Sequence, residues 1–172
     1  MTLDHLWAGW RTTYVESAAA SPTGGTSPFA GILASGLPDT ETNIVWRGQH
    51  CFAILNAYPY TNGHVLVMPY REVGELEDLH PDEHAELWLG ATAAVRALKA
   101  AYRPDGVNLG VNLGRSAGAG VPTHVHVHVL PRWNGDTNFM TSVAEVRVLP
   151  EALSVSAAKV RAAWPGSVDG HG

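Results

Sequence analysis

Residues 124–130 run His-Val-His-Val-His-Val-Leu, a strict alternation of imidazole and aliphatic side chains. In an extended strand, successive side chains leave opposite faces. His124, His126 and His128 therefore share one face, and Val125, Val127 and Val129 share the other. The valines are β-branched and suit a buried sheet face. Neighbouring histidines along the row stand roughly 6.5–7 Å apart, two strand steps. The segment is thus a half-buried strand that carries a row of nitrogen bases on a rigid floor.

Three chemistries fit such a row. It is the polar face of an amphipathic strand, although Thr, Lys, Glu or Ser would be the usual occupants. It is a metal site, since His is a common ligand near neutral pH and two of the three could share one zinc with a carboxylate or Cys. Or it is a site of covalent catalysis at phosphorus. A neutral imidazole is a good nucleophile, and the cationic phospho-imidazole it forms is a good leaving group. Flanking histidines would then hold the tautomer and donate to phosphoryl oxygens.

The flanks favour the third. Residues 108–122 read Asn-Leu-Gly-Val-Asn-Leu-Gly-Arg-Ser-Ala-Gly-Ala-Gly-Val-Pro. Gly114, Gly118 and Gly120 permit positive φ and close backbone approach, and successive N–H groups in such turns can cradle an anion. Arg115 and Ser116 add phosphate donors. Metal chemistry is weakened by the single cysteine, Cys51, which lies in the apolar run Cys51-Phe52-Ala53-Ile54-Leu55. One cysteine makes neither an internal disulfide nor a paired-thiol site, and points to a reducing compartment.

The pattern His-φ-His-φ-His-φ-φ, with φ apolar, resembles the histidine triad (HIT) family of nucleotide hydrolases and transferases. Leu55-Asn56-Ala57-Tyr58-Pro59-Tyr60-Thr61-Asn62-Gly63-His64-Val65-Leu66-Val67-Met68-Pro69 is similar to that family's nucleoside-binding segment. Pro131-Arg132-Trp133 and Gly135-Asp136-Thr137-Asn138-Phe139 are similar to the branch that contains bacterial diadenosine tetraphosphate phosphorylases. The resemblance covers residues 40 to 165.

It implies roles residue by residue. His126 matches the nucleophile that attacks an α-phosphorus and carries a nucleotidyl group. His124 and His128 match the flanking members that contact phosphate. His64 matches a histidine that braces the triad from the adjacent strand. Asn56 matches a ribose-binding position, and Asn112 a contact to phosphate or leaving group. Gly114, Ser116, Gly118 and Gly120 line the expected phosphate loop. His5, His50, His80, His84 and His171 match nothing catalytic and are expected at the surface or at helix ends.

Two departures matter. Many bacterial relatives carry Cys-x-x-Cys near the N-terminus as part of a structural zinc site. The matching stretch here is Ser27-Pro28-Phe29-Ala30, and Glu72 stands about where those relatives place a ligand histidine. No structural metal and no cofactor are expected. Gly120, four residues before His124, occupies a position where relatives often have Gln or Ser. That leaves open whether water or inorganic phosphate accepts the nucleotidyl group.

Length and composition suit a single soluble domain, with the cytoplasm as the default compartment. The 172 residues fall within the range of one domain, and a 45% hydrophobic fraction can fill a core. A net charge of −5 argues against a nucleic-acid surface. No apolar run approaches the roughly 18 residues of a membrane span, and the N-terminus lacks the order of a secretory signal.

A helix is expected over residues 4–19, where Leu6, Trp7, Trp10 and Tyr14 recur near helical spacing. Residues 20–39 are rich in Ser, Pro, Thr, Gly and Ala and are expected to be mostly irregular. Strands are expected near 43–47, 51–56, 63–69, 107–114 and 124–131, with a long helix over 81–102 and a last helix over 150–164. Pro81 suits the first helical position, and Asp82 and Glu83 the positive end of the dipole. Trp88, Ala91, Val95, Leu98 and Tyr102 form an apolar stripe. Trp133 is a candidate for base stacking or for the core. The expected fold is α+β: a five-stranded antiparallel sheet, one long helix and shorter terminal helices. Three segments are expected: an N-terminal helix and irregular stretch (1–40), a catalytic domain (41–165) and a flexible tail (166–172). The resemblance further implies a homodimer in which two such sheets join. The favoured function is cleavage at the α-phosphate of a nucleotide, with a diadenosine polyphosphate as leading substrate. The alternatives are a non-catalytic nucleotide-binding protein and a His-cluster metalloenzyme.

Overall fold

A computed structural model describes residues 27–136 and 151–166. The helix expected over 4–19, the tail beyond 166, His5 and His171 lie outside the described residues. Five strands, β1 (Ile44–Arg47), β2 (Cys51–Leu55), β3 (Val65–Pro69), β4 (Gly106–Val111) and β5 (Val127–Arg132), form one sheet in the order β1-β2-β3-β5-β4. Every neighbouring pair is antiparallel. The sheet and its long helix match the α+β fold expected from the sequence.

The helices are α1 (Pro28–Ala34), the single turn α2 (Asp39–Thr42), α3 (Pro81–Tyr102) and α4 (Leu153–Ala162). None among the described residues is long and apolar enough to cross a membrane. Helix α3 carries the chain from β3 to the far edge, where β4 runs, and β5 returns into the gap between them. Its ends follow the local chemistry. Glu83 accepts the His80 backbone N–H at 2.8 Å, satisfying a donor at the N-terminus. Arg103 takes φ 48° at the other end, and Pro104 follows.

The buried stripe of α3 keeps Ala91 and Leu98 of the expected one but not Trp88. Leu87, Gly90, Ala91, Ala94, Ala97 and Leu98 face the sheet, whereas Trp88 is 40% exposed. Small residues let the helix axis approach the strands. A Cβ on Gly90 would stand 2.9 Å from Trp46 and 3.0 Å from Val67.

The two sheet faces differ in cover. One carries Val45, Ala53, Val65, Val67, Val127 and Val129 under α3 and α4. The other carries Ile44, Phe52, Ile54, Leu66 and Met68, with Phe29, Ile32 and Leu33 of α1 packed on them. Helix α1 is a regular element within the stretch expected to be mostly irregular. Ser27 caps it, its hydroxyl accepting the Phe29 N–H at 3.2 Å, and Pro28 occupies the first turn. Strand β5 is also shorter than expected. Its ladder with β3 begins at Val127, so His124 and His126 precede the strand. Continuing that register would set Val125 opposite Pro69, which has no N–H to donate. The Val125 N–H instead reaches the Val73 carbonyl at 2.6 Å.

Candidate active site

His64, His124, His126 and His128 are all buried, on the sheet face that α1 covers. His128 lies opposite Leu66 on β3 and Gly110 on β4. His64, just before β3, reaches it diagonally, its Nε2 2.9 Å from His128 Nδ1. The His126 and His128 ring centres are 4.8 Å apart.

Fixed backbone groups settle where the protons sit. The Tyr60 backbone N–H donates to His64 Nδ1 at 3.2 Å, so that nitrogen is an acceptor. The Asn56 amide approaches the same atom at 3.3 Å. The His64 proton is therefore on Nε2, where it donates to His128 Nδ1. The His128 proton is in turn on Nε2. That atom is buried and has no hydrogen-bond partner among the described residues. A buried donor without a partner is costly in a finished fold and is useful where a ligand arrives.

His126 is set the opposite way. Its Nδ1 lies 2.8 Å from the His124 carbonyl, an acceptor only, so Nδ1 carries the proton and Nε2 keeps the basic lone pair. Burial holds His126 below the ordinary imidazole range, against the opposing pull of that carbonyl. Burial, and then the neighbouring His126, push His128 down to about 4. Both rings are neutral at neutral pH. The site thus presents a basic nitrogen next to an N–H donor, the pairing a phosphoryl centre needs from an attacking group and an oxygen-binding group.

His124 is placed differently from its two neighbours. It is fully buried, and neither ring nitrogen is available to a phosphate. Its Nε2 donates to the Pro69 carbonyl at 2.8 Å, and its Nδ1 accepts from the Ser27 hydroxyl at 2.9 Å. Burial keeps this ring neutral too, lowering its pKa. His124 therefore holds the chain in place while its carbonyl orients His126.

The glycine-rich loop is partly closed on itself. Gly114 and Gly118 do take positive φ, 73° and 89°. The Ala117 and Ala119 N–H groups, however, donate to the Gly114 carbonyl and the Gly118 N–H to the Arg115 carbonyl, closing a 3-10 turn at 115–117. Those three amides are not turned toward a ligand. Ser116, Gly118 and Gly120 are exposed. The half-buried Asn112 ties the loop across itself, its amide 3.5 Å from the Gly118 carbonyl. Asn56 is half-buried, and its carbonyl oxygen accepts the Tyr58 N–H at 3.0 Å, so it builds the turn as well as touching His64.

Two aromatic residues not singled out from the sequence wall the site. Phe29 of α1 meets His124 edge-on at 5.5 Å and His126 at 5.7 Å. Tyr60 stacks on His128, ring centres 6.2 Å apart and planes within 10°. Their signals were present in Ser27-Pro28-Phe29 and Tyr58-Pro59-Tyr60, but nothing local says which face they cover. Trp133 instead packs edge-on against Tyr102, at 6.2 Å. His80 and His84 sit at the start of α3, as expected of residues without a catalytic match.

The positions that resemblance associates with structural zinc do not suit a metal here. Ala30 has no side-chain ligand atom, and the Ser27 hydroxyl is committed to the neighbouring His124, whose other nitrogen is bonded to Pro69. Glu72 accepts the Ser27 N–H on both oxygens at 3.0 Å and the Thr123 hydroxyl at 2.8 Å, and these bonds hold its carboxyl below the usual range. Among the described residues no group of three His, Cys, Asp or Glu side chains is arranged to hold a metal ion.

The chain matches the HIT domain over residues 38–135. It is 44% identical over 159 residues to an AP-4-A phosphorylase of Mycobacterium tuberculosis, covering 88% of this chain and 79% of that protein. It is 35% identical over 92 residues to a bis(5'-adenosyl)-triphosphatase of Dictyostelium discoideum, covering 54% of this chain and 61% of that one. Among solved structures, a zinc-bound histidine triad family protein from Mycobacterium smegmatis is similar, with a TM-score of 0.66 and 29% identity over 80% of this chain and 92% of that chain. A hypothetical histidine triad nucleotide-binding protein from Sulfolobus tokodaii gives 0.64 and 30%, over 79% and 90%.

Proposed function

The chain belongs to the HIT family, and on that premise we propose that it cleaves diadenosine polyphosphates through a nucleotidyl-histidine. His126 Nε2 attacks the α-phosphorus. A nitrogen–phosphorus bond forms as the bond to the bridging oxygen breaks, and the departing nucleotide leaves with the bridging oxygen and the electron pair. The Nδ1 proton stays against the His124 carbonyl, so the imidazole becomes cationic and is itself a good leaving group. The His128 Nε2–H donates to a phosphoryl oxygen as charge builds there. Phosphate or water then attacks the same phosphorus, and His126 returns to its free form. The observation that supports this most strongly is the buried His128 Nε2, without a hydrogen-bond partner among the described residues, beside the basic edge of His126.

The sequence similarity to an AP-4-A phosphorylase favours diadenosine tetraphosphate as substrate and inorganic phosphate as acceptor. ADP plus ATP is then the expected product pair with phosphate present, whereas AMP would assign hydrolysis. A His126→Ala variant should lose turnover and the transient nucleotide adduct seen by mass spectrometry of quenched protein, with an unchanged circular dichroism spectrum. Wild-type turnover in that variant would eliminate the covalent route.

The same reading places Asn56 on the ribose, Asn112 and Ser116 at the phosphates, and the protein in the cytoplasm as a homodimer. The dimer is supported by the outer edge of β4, where Leu109 is 47% exposed, and by exposed Leu89 on α3. Light scattering at low micromolar concentration tests it, and a monomer there would reject it.

A further inference from the structure

Around His124 the chain builds a clasp that does not itself face the site. Glu72 follows β3, and its carboxylate accepts the Ser27 N–H and the Thr123 hydroxyl. Ser27 is 2% exposed, caps α1, and donates its hydroxyl proton to His124 Nδ1. The far nitrogen of His124 is anchored on Pro69, the last residue of β3. These bonds join three segments distant in sequence, and they close on the one residue whose carbonyl orients the nucleophile.

We propose that Glu72 is a positioning residue for His126, acting through Ser27 and His124 as a metal-free clasp. The chain of contacts is continuous. The carboxylate fixes the Ser27 main chain, the Ser27 hydroxyl fixes the His124 ring, and the His124 carbonyl holds the Nδ1 proton of His126. The same clasp sets the start of α1, which brings Phe29 against the His126 ring. His126 lies before the β5 ladder, so strand pairing does not hold it. The clasp supplies that restraint. Without it, the ring can exchange its Nδ1–H tautomer for the Nε2–H form, which has no lone pair to offer phosphorus.

The inference rests on His126 being the nucleophile, and its test has one readout independent of turnover. Glu72→Ala, Glu72→Gln and Thr123→Val are compared with the parent protein on diadenosine tetraphosphate and by nitrogen-15 NMR of the free histidine rings. Glu72→Ala should lower kcat on the order of ten- to a hundredfold with KM within threefold, the size expected when a distant contact misplaces a reacting atom. Its His126 signals should move from a single Nδ1–H tautomer toward a mixture. Glu72→Gln keeps one acceptor oxygen for the Ser27 N–H and should recover most of the rate, and Thr123→Val, which keeps that bond, should lose less than Glu72→Ala. An unchanged tautomer in folded Glu72→Ala overturns the clasp, as does a rate loss that merely follows the folded fraction. If the tautomer shifts but the parent protein forms no nucleotide adduct, the clasp stands and the proposed activity falls.

Discussion

Acidification should destabilise this fold through His128 in particular. The ring is 8% exposed, and burial together with His126 lowers its pKa from the ordinary 6.5 to about 4. In the unfolded chain the same imidazole titrates near its ordinary value. Between those two values the unfolded state binds a proton that the native state refuses. Stability is therefore fully present above the unfolded value and is lost as pH falls toward the folded one. Across that window the linkage amounts to roughly 3 kcal/mol for this residue. His128→Asn removes the titration, and its loss of the His64 contact is an offset common to every pH. Urea unfolding of both proteins from pH 7.5 to pH 4 isolates the effect. The parent should lose about 3 kcal/mol more than the variant over that range. His124 and His126, also held down by burial, contribute to both curves alike. Parallel curves would refute the assignment of a neutral, desolvated His128 and with it the proton placement in the site.

Two further outcomes are expected. The acid limb of kcat/KM should fall with a midpoint below the ordinary imidazole value, since burial lowers the pKa of His126 and only its free base attacks; a limb centred above that value would contradict the buried nucleophile. Gly63→Ala should cost about 2–3 kcal/mol in thermal or urea unfolding, because φ is +75° and the new Cβ would stand 2.7 Å from Tyr102. A neutral substitution there would show that the turn before His64 is not held by α3.

Legibility in the sequence followed the range of the interaction. The period-two row at 124–130 marked a sheet face that the ladder takes up from Val127, because alternation is a property of the extended backbone alone. Pro81 and the acidic first turn likewise placed α3 to the residue, since helix ends are decided within a few positions. The stripe on that helix was misread at Trp88. Which side chain is buried depends on how closely α3 approaches β3, and Gly90 rather than a large apolar residue sets that distance.

The site divides in the same way. Its four histidines were legible as a group, but their separate tasks were not. His124 and His126 are two residues apart in one motif, yet one ends with both nitrogens committed to Ser27 and Pro69 while the other keeps a basic nitrogen. Sequence by itself determined the strand from Val127 onward, the grouping of the histidines and the kinship of the chain. Only tertiary structure decided where each proton sits. A ring's tautomer is chosen by whichever donor or carbonyl meets it, and here those groups come from Ser27, Tyr60 and Pro69, elements that only folding brings together.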